Sequence, residues 1–229
     1  MNHTVEKIGG TSMSEYSAVR DNVILKGNNS NDIYNRVFVV SAYGGMTDLL
    51  LENKSNGKPG VYGLFANTSN DDEWHEAFET LRDKMFAINL ELFGETELGR
   101  QADEFISGRL SDAERVLTDL QRLCQHGHFE LQAHLFTVRE MLASIGEAHS
   151  AWNMAHLLQR DGINARFIDL SGWQAEGAEN LDTMISQSFA GVNYDTELLI
   201  ATGYTHCDNG LMASFDRGYS EMTFSRIAV

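Results

Sequence analysis

The chain has 229 residues, which is enough for one large domain, or a domain and a half, with a substantial core. Its 33 acidic residues outnumber 17 basic ones, and a net charge of −16 disfavours nucleic acids and anionic membranes as partners. Two cysteines far apart in sequence predict no disulfide framework, and no apolar run reaches the 18 residues of a membrane span. We therefore expect a cytoplasmic protein.

The chain begins with a short strand-like segment and a pair of glycines. Residues 4–8 predict the strand, and the glycines follow it directly. Apolar residues at helical spacing then predict a helix over residues 14 to about 26, with Ser12 or Ser14 as its N-cap.

A second strand-and-glycine unit follows. Residues 36–45 (RVFVVSAYGG) are a continuous apolar run closed by two glycines, which is typical of a buried parallel strand and a tight turn. A short helix is predicted over residues 46–51. An exposed loop is predicted over residues 53–63, which contain the sole proline of the chain.

The remainder alternates long helices with further strands. Residues from about 71 to 160 are predicted to be mostly helical, with breaks near Gly94, Gly108 and residues 126–129. Two more strands are predicted, over residues 165–170 and at the end of residues 193–204. A glycine turn near residue 218 then leads into a helix for which Ser220 is the predicted N-cap.

This order of elements predicts an α/β fold with a mostly parallel central sheet. Ligands of such sheets bind beside the carboxyl ends of the strands. Glycine-bearing turns come after Ile8, after Val40 and near Gly203. We expect these three turns to converge on one crevice.

The segment Gly9-Gly10-Thr11-Ser12 is the first candidate for ligand binding. It matches neither the P-loop nor the dinucleotide-binding pattern. Glycines there would let backbone N–H groups approach a phosphate at a helix N-terminus, and Lys7 would place its ammonium against a phosphoryl group. An ordinary strand-to-helix turn with an exposed lysine explains the same residues.

Three further side chains are candidates for a ligand site. Thr47 follows the second glycine pair and would cap a helix or contact a ligand, whereas Glu147 would meet an ammonium group or lie solvated on a helix. Arg217 precedes a helix N-terminus, where a guanidinium can bind a carboxylate or a phosphate. The scattered histidines and cysteines lack further ligands, so no metal site is predicted.

The motifs acquire meaning from their order. KIGGTSM, VVSAYGGMTDLL, GEAHSA, ATGY and FDRGYSEMTFSRIA succeed one another as they do in the aspartate kinase family, which the chain resembles from about residue 4 to its last residue. The segments VEKIGGTSM, REMLASIGEAHSAWN and ATGYTHC with FDRGYSE most resemble the branch associated with ectoine biosynthesis. Ectoine is an osmolyte, which suits the acidic composition.

The resemblance implies a fold and a reaction. The fold is the three-layer sandwich of the amino acid kinases, with a mostly parallel central sheet. The reaction is phosphoryl transfer from MgATP to the β-carboxylate of L-aspartate, with ATP and Mg²⁺ as cofactors and a homo-oligomer as the full-length form. This phosphoryl transfer is the first step of the aspartate pathway.

Roles follow by position in the family's motifs. Lys7 matches the lysine that stabilises the transferring phosphoryl group, and Gly9, Gly10 and Ser12 match the phosphate-facing loop. The residues that match substrate-binding positions are Ser41, Thr47, Glu147 (for the aspartate amino group), Arg217 (for the α-carboxylate) and Ser220. Glu221 matches the carboxylate that orients the lysine.

The chain departs from the family in two respects. Where the family reads Gly-Arg-Gly-Gly-Ser-Asp, residues 216–221 carry tyrosine at the second glycine of the Gly-Gly pair and glutamate for the final aspartate. The chain also stops before the family's adenine and ribose contacts and its ACT domains. We therefore expect residues 1–229 to be the N-terminal, aspartate-binding part of a catalytic domain, inactive in isolation.

Two alternatives remain at this point. One keeps the fold and changes the acceptor, as in a glutamate or carbamate kinase. The other is a non-catalytic binding or oligomerisation module in which the glycine loops are only turns.

Overall fold

The computed structural model describes residues 3–25, 33–67, 71–173, 177–212 and 218–229. The chain forms two compact units, of which the first comprises Met1–Gly44 with Glu147–Val229 and the second comprises Gly45–Gly146. In the described ranges, no helix combines the length and apolar character needed to cross a bilayer.

The described strands form one parallel sheet in the first unit. They are β1 (Thr4–Ile8), β2 (Arg36–Val40), β3 (Ala165–Ile168) and β4 (Leu198–Thr202). Their spatial order is β1-β2-β4-β3. Ile8 lies opposite Val40, and Val40 lies opposite Thr202, so three strands end at one edge of the sheet. All four strands agree in position with the sequence prediction.

Both faces of the central strands are buried. Val37, Leu199 and Ala201 form a core cluster on one face, and Ile227 packs against it. Phe38 and Ile200, which alternate with these residues and point to the other face, are also fully buried. A parallel sheet covered on both faces is the centre of a three-layer α/β architecture, as predicted.

The described helices, in chain order, are α1 (Gly10–Met13), α2 (Tyr16–Val19), α3 (Met46–Leu50), α4 (Val61–Asn67), α5 (Asp71–Phe93), α6 (Glu97–Cys124), α7 (Leu135–Arg160), α8 (Leu181–Ser188) and α9 (Tyr219–Ile227). A π-helical turn, Arg20–Ile24, continues α2. A 3₁₀ turn, Leu131–Ala133, precedes α7.

The helix predicted over residues 14–26 is divided and starts earlier. It begins at Gly10, and the chain leaves helical geometry between α1 and α2. The predicted caps are wrong, because the hydroxyl of Ser14 donates to the Gly10 carbonyl (3.4 Å) and accepts from the Gly44 N–H (3.3 Å). Glu15 takes the N-cap position of α2, and Ser12 lies exposed within α1.

The loop predicted over residues 53–63 is shorter than expected. Glu52 and Pro59 form an isolated antiparallel bridge, and α4 begins at Val61. Val61 and Phe65 are buried, so hydrophobic burial within the second unit outweighs the turn-forming composition of this segment.

In the second unit, α5 and α6 form an antiparallel helical hairpin. Gly94, with φ of 62°, turns the chain between them, and the Thr96 hydroxyl caps α6 by accepting from the Gly99 N–H at 3.1 Å. Arg82 reaches from α5 to Glu114 of α6 (2.9 Å), so the two helices lie side by side.

The helix break predicted near Gly108 is wrong. Helix α6 runs through this residue without interruption, and an exposed glycine inside a helix costs only about 1 kcal/mol relative to alanine. Ile106, Leu110 and Ala113 are fully buried, and the free energy gained by burying these side chains exceeds the cost of the glycine.

A pair of glycine substitutions tests the hairpin. Gly108→Ala should raise the free energy of unfolding by about 0.5–1 kcal/mol, because a Cβ there meets no described atom and the helix gains propensity. Gly99→Ala should lower it by about 1–3 kcal/mol, because its Cβ would lie 2.5 Å from the Gly94 carbonyl oxygen. Urea unfolding of both variants measures these changes, and a destabilising Gly108→Ala would contradict a continuous α6.

Candidate active site

Three loops lie side by side where β1, β2 and β4 end. The Ser41 N–H donates to the Ile8 carbonyl at 3.0 Å, and the Gly203 N–H donates to the Val40 carbonyl at 2.9 Å. These hydrogen bonds extend the ladder of the sheet by one residue, so the glycine-bearing turns leave the strands next to one another. The convergence expected from the sequence is therefore observed.

The glycines of the first loop have different environments. A Cβ at Gly10 would lie 2.6 Å from the Ala42 carbonyl oxygen, so only glycine lets the first two loops approach this closely. Gly9 has extended backbone (φ −76°, ψ 161°), and a Cβ there would meet no described atom within 4 Å. Neither backbone conformation nor packing against described residues requires glycine at position 9, where the loop faces open space.

Glu147 is a buried carboxylate beside these loops. It lies on α7, is only 2% exposed, and accepts a 2.5 Å hydrogen bond from the Ser220 hydroxyl. Burial raises the pKa of the Glu147 carboxyl to about 8, and the Ser220 hydrogen bond, the Lys7 charge and a backbone hydrogen bond from Tyr204 oppose this rise. The Glu147 carboxyl is therefore mostly protonated near neutral pH.

A set of serines holds the carboxylate in place. Ser220 accepts a hydrogen bond from the Ser41 hydroxyl (3.4 Å), and the Ser41 carbonyl accepts one from the Ser150 hydroxyl (2.8 Å). The loop after β2 is thus tied both to α7 and to α9. The prediction that Ser220 caps this helix is wrong. Gly218 occupies the N-cap position of α9, and the Ser220 hydroxyl donates to Glu147 instead.

Lys7 and Glu221 form an ion pair near the same strand ends. The Lys7 Nζ lies 2.6 Å from Glu221 Oε1, and the two side chains are 26% and 61% exposed. A pair this exposed contributes little to stability. Its geometric effect is to hold the ammonium at the end of β1, near enough to Glu147 for its charge to lower the pKa of that carboxyl.

The structure leaves two predicted site residues untested. Thr47 is a half-buried residue of α3 in the second unit. Arg217 lies outside the described residues. The site roles of both remain predictions.

Two histidines of α7 pack against aromatic rings. His149 is fully buried, its ring meets Tyr43 edge to face, and burial lowers its pKa to about 3, so it is neutral. His156 stacks on Trp152 with ring centroids 3.7 Å apart. Within the described ranges, no group of three or more His, Cys, Asp or Glu residues forms a metal site.

Sequence reasoning did not assign a site role to Ser150 or to the glycine at position 203. The hydroxyl of Ser150 anchors the second loop, and Gly203 borders both Ser220 and Glu147. The GEAHSA motif contains Ser150, three residues after Glu147 and so on the same side of a helix, which is a usable signal. In a single sequence, Gly203 is indistinguishable from an ordinary turn glycine.

The family model described as the amino acid kinase family matches residues 2–229. The chain belongs to the amino acid kinase family. The aspartate kinase Ask_Ect of Stutzerimonas stutzeri (strain A1501) is 53% identical to it over 226 residues, which cover 99% of this chain and 48% of the relative. The chain thus spans about half the length of the curated relative that it matches.

Solved structures of the same fold include E. coli aspartokinase III. Its complex with lysine and aspartate (T-state) matches with a TM-score of 0.56 at 19% identity, over 87% of this chain and 40% of that chain. Its complex with aspartate and ADP (R-state) matches with a TM-score of 0.55 at 17% identity, over 98% and 47%. At these identities the structures establish the amino acid kinase fold alone.

The raised pKa of Glu147 predicts how stability depends on pH. Between about pH 4.5 and 8 the unfolded chain ionises this carboxyl while the folded chain keeps it protonated. The contribution of Glu147 to the free energy of unfolding therefore falls as the pH rises and levels off above pH 8. One pKa unit is about 1.4 kcal/mol, so the loss amounts to a few kcal/mol. Urea unfolding from pH 5 to 9 should show that Glu147→Gln removes this slope.

Glu15→Gln removes one carboxylate from an exposed position of the same unit and serves as the control. Identical pH slopes in the wild type and in Glu147→Gln would contradict a buried, protonated Glu147.

Proposed function

We propose that this chain is the aspartate-binding part of an aspartate kinase, which transfers a phosphoryl group from MgATP to the β-carboxylate of L-aspartate and forms 4-phospho-L-aspartate. The observation that carries the proposal is the juxtaposition of Glu147, Ser220 and Lys7 at the ends of adjacent strands. The 53% identity to an aspartate kinase supports the same reaction. This chain spans 48% of that relative, and we propose that the nucleotide-binding half and the ACT domains correspond to the remainder.

Substrate orientation follows from charge. Aspartate carries one ammonium and two carboxylates, and transfer to the β-carboxylate requires the other two groups to be held. Glu147 is a buried acceptor for the ammonium, and Arg217 is the proposed partner of the α-carboxylate. The β-carboxylate is then the acceptor group left to face the nucleotide. Holding reactants in this way supplies a large part of the catalysis that phosphoryl transfer needs.

In this mechanism Lys7 neutralises the negative charge of the phosphoryl group that is transferred. Its ammonium lies beside the loop whose Gly9 faces open space, so phosphate oxygens can approach both the lysine and the backbone N–H groups. Glu221 keeps the ammonium in position. No general base is required, because the aspartate β-carboxylate is already ionised and nucleophilic at neutral pH.

The residues present are compatible with a metal ion that arrives with the nucleotide. Mg²⁺ typically takes one or two carboxylates and completes its shell with phosphate oxygens and water. Glu221 is an exposed carboxylate at the phosphate-facing edge and would supply such a ligand. When bound, Mg²⁺ would neutralise phosphate charge.

Three details of the proposal concern biological context. The resemblance of residues 5–13 and 139–153 to ectoine-associated enzymes, together with the net charge of −16, supports a role in osmolyte synthesis. A cytoplasmic location and a homo-oligomeric full-length form accompany this proposal.

A kinase with another small acceptor is the second candidate function. Glu147 favours an acceptor with an ammonium group, which glutamate has and carbamate lacks. Measuring ADP release by the full-length protein with aspartate, glutamate and carbamate as acceptors decides between them.

Replacement of Lys7 tests the catalytic assignment. Lys7→Ala in the full-length protein should reduce kcat by about 10²–10³-fold, the usual effect of removing one group that stabilises transition-state charge. The exposed Lys54 provides the control, since Lys54→Ala should leave kcat unchanged. Steady-state ADP release measures both variants, and wild-type turnover in Lys7→Ala would refute the phosphoryl-transfer role.

Aspartate binding should also release a proton. The ligand ammonium stabilises the ionised form of Glu147, so below about pH 8 its binding displaces the carboxyl proton. Calorimetric titration at pH 7 in two buffers of different ionisation enthalpy should show release approaching one proton per site. Glu147→Gln should abolish the release and weaken binding, whereas Glu15→Gln should do neither; equal enthalpies in both buffers would exclude this arrangement.

A further inference from the structure

Gly203 occupies the point where Glu147 and Ser220 meet. A Cβ at this position would lie 2.7 Å from the Ser220 hydroxyl oxygen, 2.8 Å from Ser220 Cβ and 2.8 Å from Glu147 Oε2. All three separations are below the 3.0 Å that real Cβ atoms keep. Even the smallest side chain would therefore overlap both members of the hydrogen-bonded pair.

The backbone at Gly203 does not itself require glycine. Its φ lies outside the left-handed region that the positive-φ glycines of this chain occupy. Its N–H makes an ordinary hydrogen bond to the Val40 carbonyl. Any residue could adopt this conformation, so what position 203 requires is empty volume on the side facing Glu147.

Neither neighbour can give way without losing the contact. Ser220 is 5% exposed and its Cβ is fixed by the first turn of α9, while Glu147 is 2% exposed on a helix that is almost wholly buried around it. In a close-packed interior such atoms have no free space to move into. A Cβ at position 203 would therefore separate the Ser220 hydroxyl from the carboxylate.

We propose that Gly203 is a positioning residue for the ammonium-binding site, because it leaves the space in which Ser220 holds the Glu147 carboxylate. The proposal rests on the proposed function for its effect on aspartate, but not for the geometry itself. Gly203 acts only through Glu147 and Ser220, so it sets affinity for the amino acid and not for the nucleotide.

The kinetic test uses Gly203→Ala in the full-length protein. The KM for aspartate should rise about ten- to hundredfold, the range for losing a hydrogen bond to a charged group, while the KM for ATP stays within about threefold. Gly172→Ala is the matched control. Gly172 has φ of 65° and its Cβ would lie 2.6 Å from His206 Cβ, so alanine there strains the same unit without touching Glu147 or Ser220.

A second readout is independent of the reaction. The pH dependence of unfolding reports the protonation of Glu147, and loss of the Ser220 hydrogen bond leaves the ionised form less stabilised. The free energy of unfolding should therefore keep falling to a higher pH in Gly203→Ala than in the wild type. In Gly172→Ala the pH at which it levels off should stay unchanged. If the wild type lacks aspartate kinase activity, the proposed function fails, while this measurement still tests the positioning role.

The outcomes are separable. A raised KM for aspartate together with a displaced pH range supports the proposal, and an unchanged pH range in Gly203→Ala overturns it. If Gly203→Ala does not fold, the triple variant Gly203→Ala/Ser220→Gly/Glu147→Ala decides, because it removes all three atoms that the new Cβ would overlap. A triple variant as stable as Ser220→Gly/Glu147→Ala supports the proposal, and one that still does not fold overturns it.

Discussion

A carboxylate buried at the ends of parallel strands is the constraint around which the first unit is organised. Glu147 is withdrawn from water, and an ionised carboxylate in such a place is unfavourable unless a positive charge or hydrogen bonds compensate. Ser220 supplies one hydrogen bond and Lys7 supplies a nearby charge, yet the pKa of the carboxyl remains high. The described groups thus compensate this carboxylate only in part, and that is the basis of the ammonium-binding role proposed for it.

The architecture explains why these groups can be brought together from distant parts of the sequence. Parallel strands end at a common edge, so residues that follow β1, β2 and β4 become neighbours although almost 200 positions separate the first from the last. Hydrogen bonds from Ser41 and Gly203 continue the sheet into the loops and fix their spacing. The chemistry therefore depends on strand register as much as on the identities of the side chains.

Glycine has three separate uses at this edge. Gly10 allows two loops to touch, Gly203 leaves room for a hydrogen-bonded pair, and Gly9 leaves an open approach. Only the first two are explained by contacts among described residues. An open approach beside a lysine is what a phosphate-binding loop requires, and this is the role proposed for Gly9.

The sequence alone determined the strands, the parallel sheet and the family, because apolar runs and ordered motifs are local properties. It also named Lys7, Glu147 and Ser220, whose site roles stay predictions. It did not determine where helices are interrupted: Gly108 lies within α6 because packing outweighs propensity, and the Ser14 hydroxyl binds another loop instead of capping a helix. Only the tertiary structure decided that the Ser220 hydroxyl donates to Glu147 and that a Cβ at Gly203 would overlap both residues. Both results depend on distances between atoms that are far apart in the sequence.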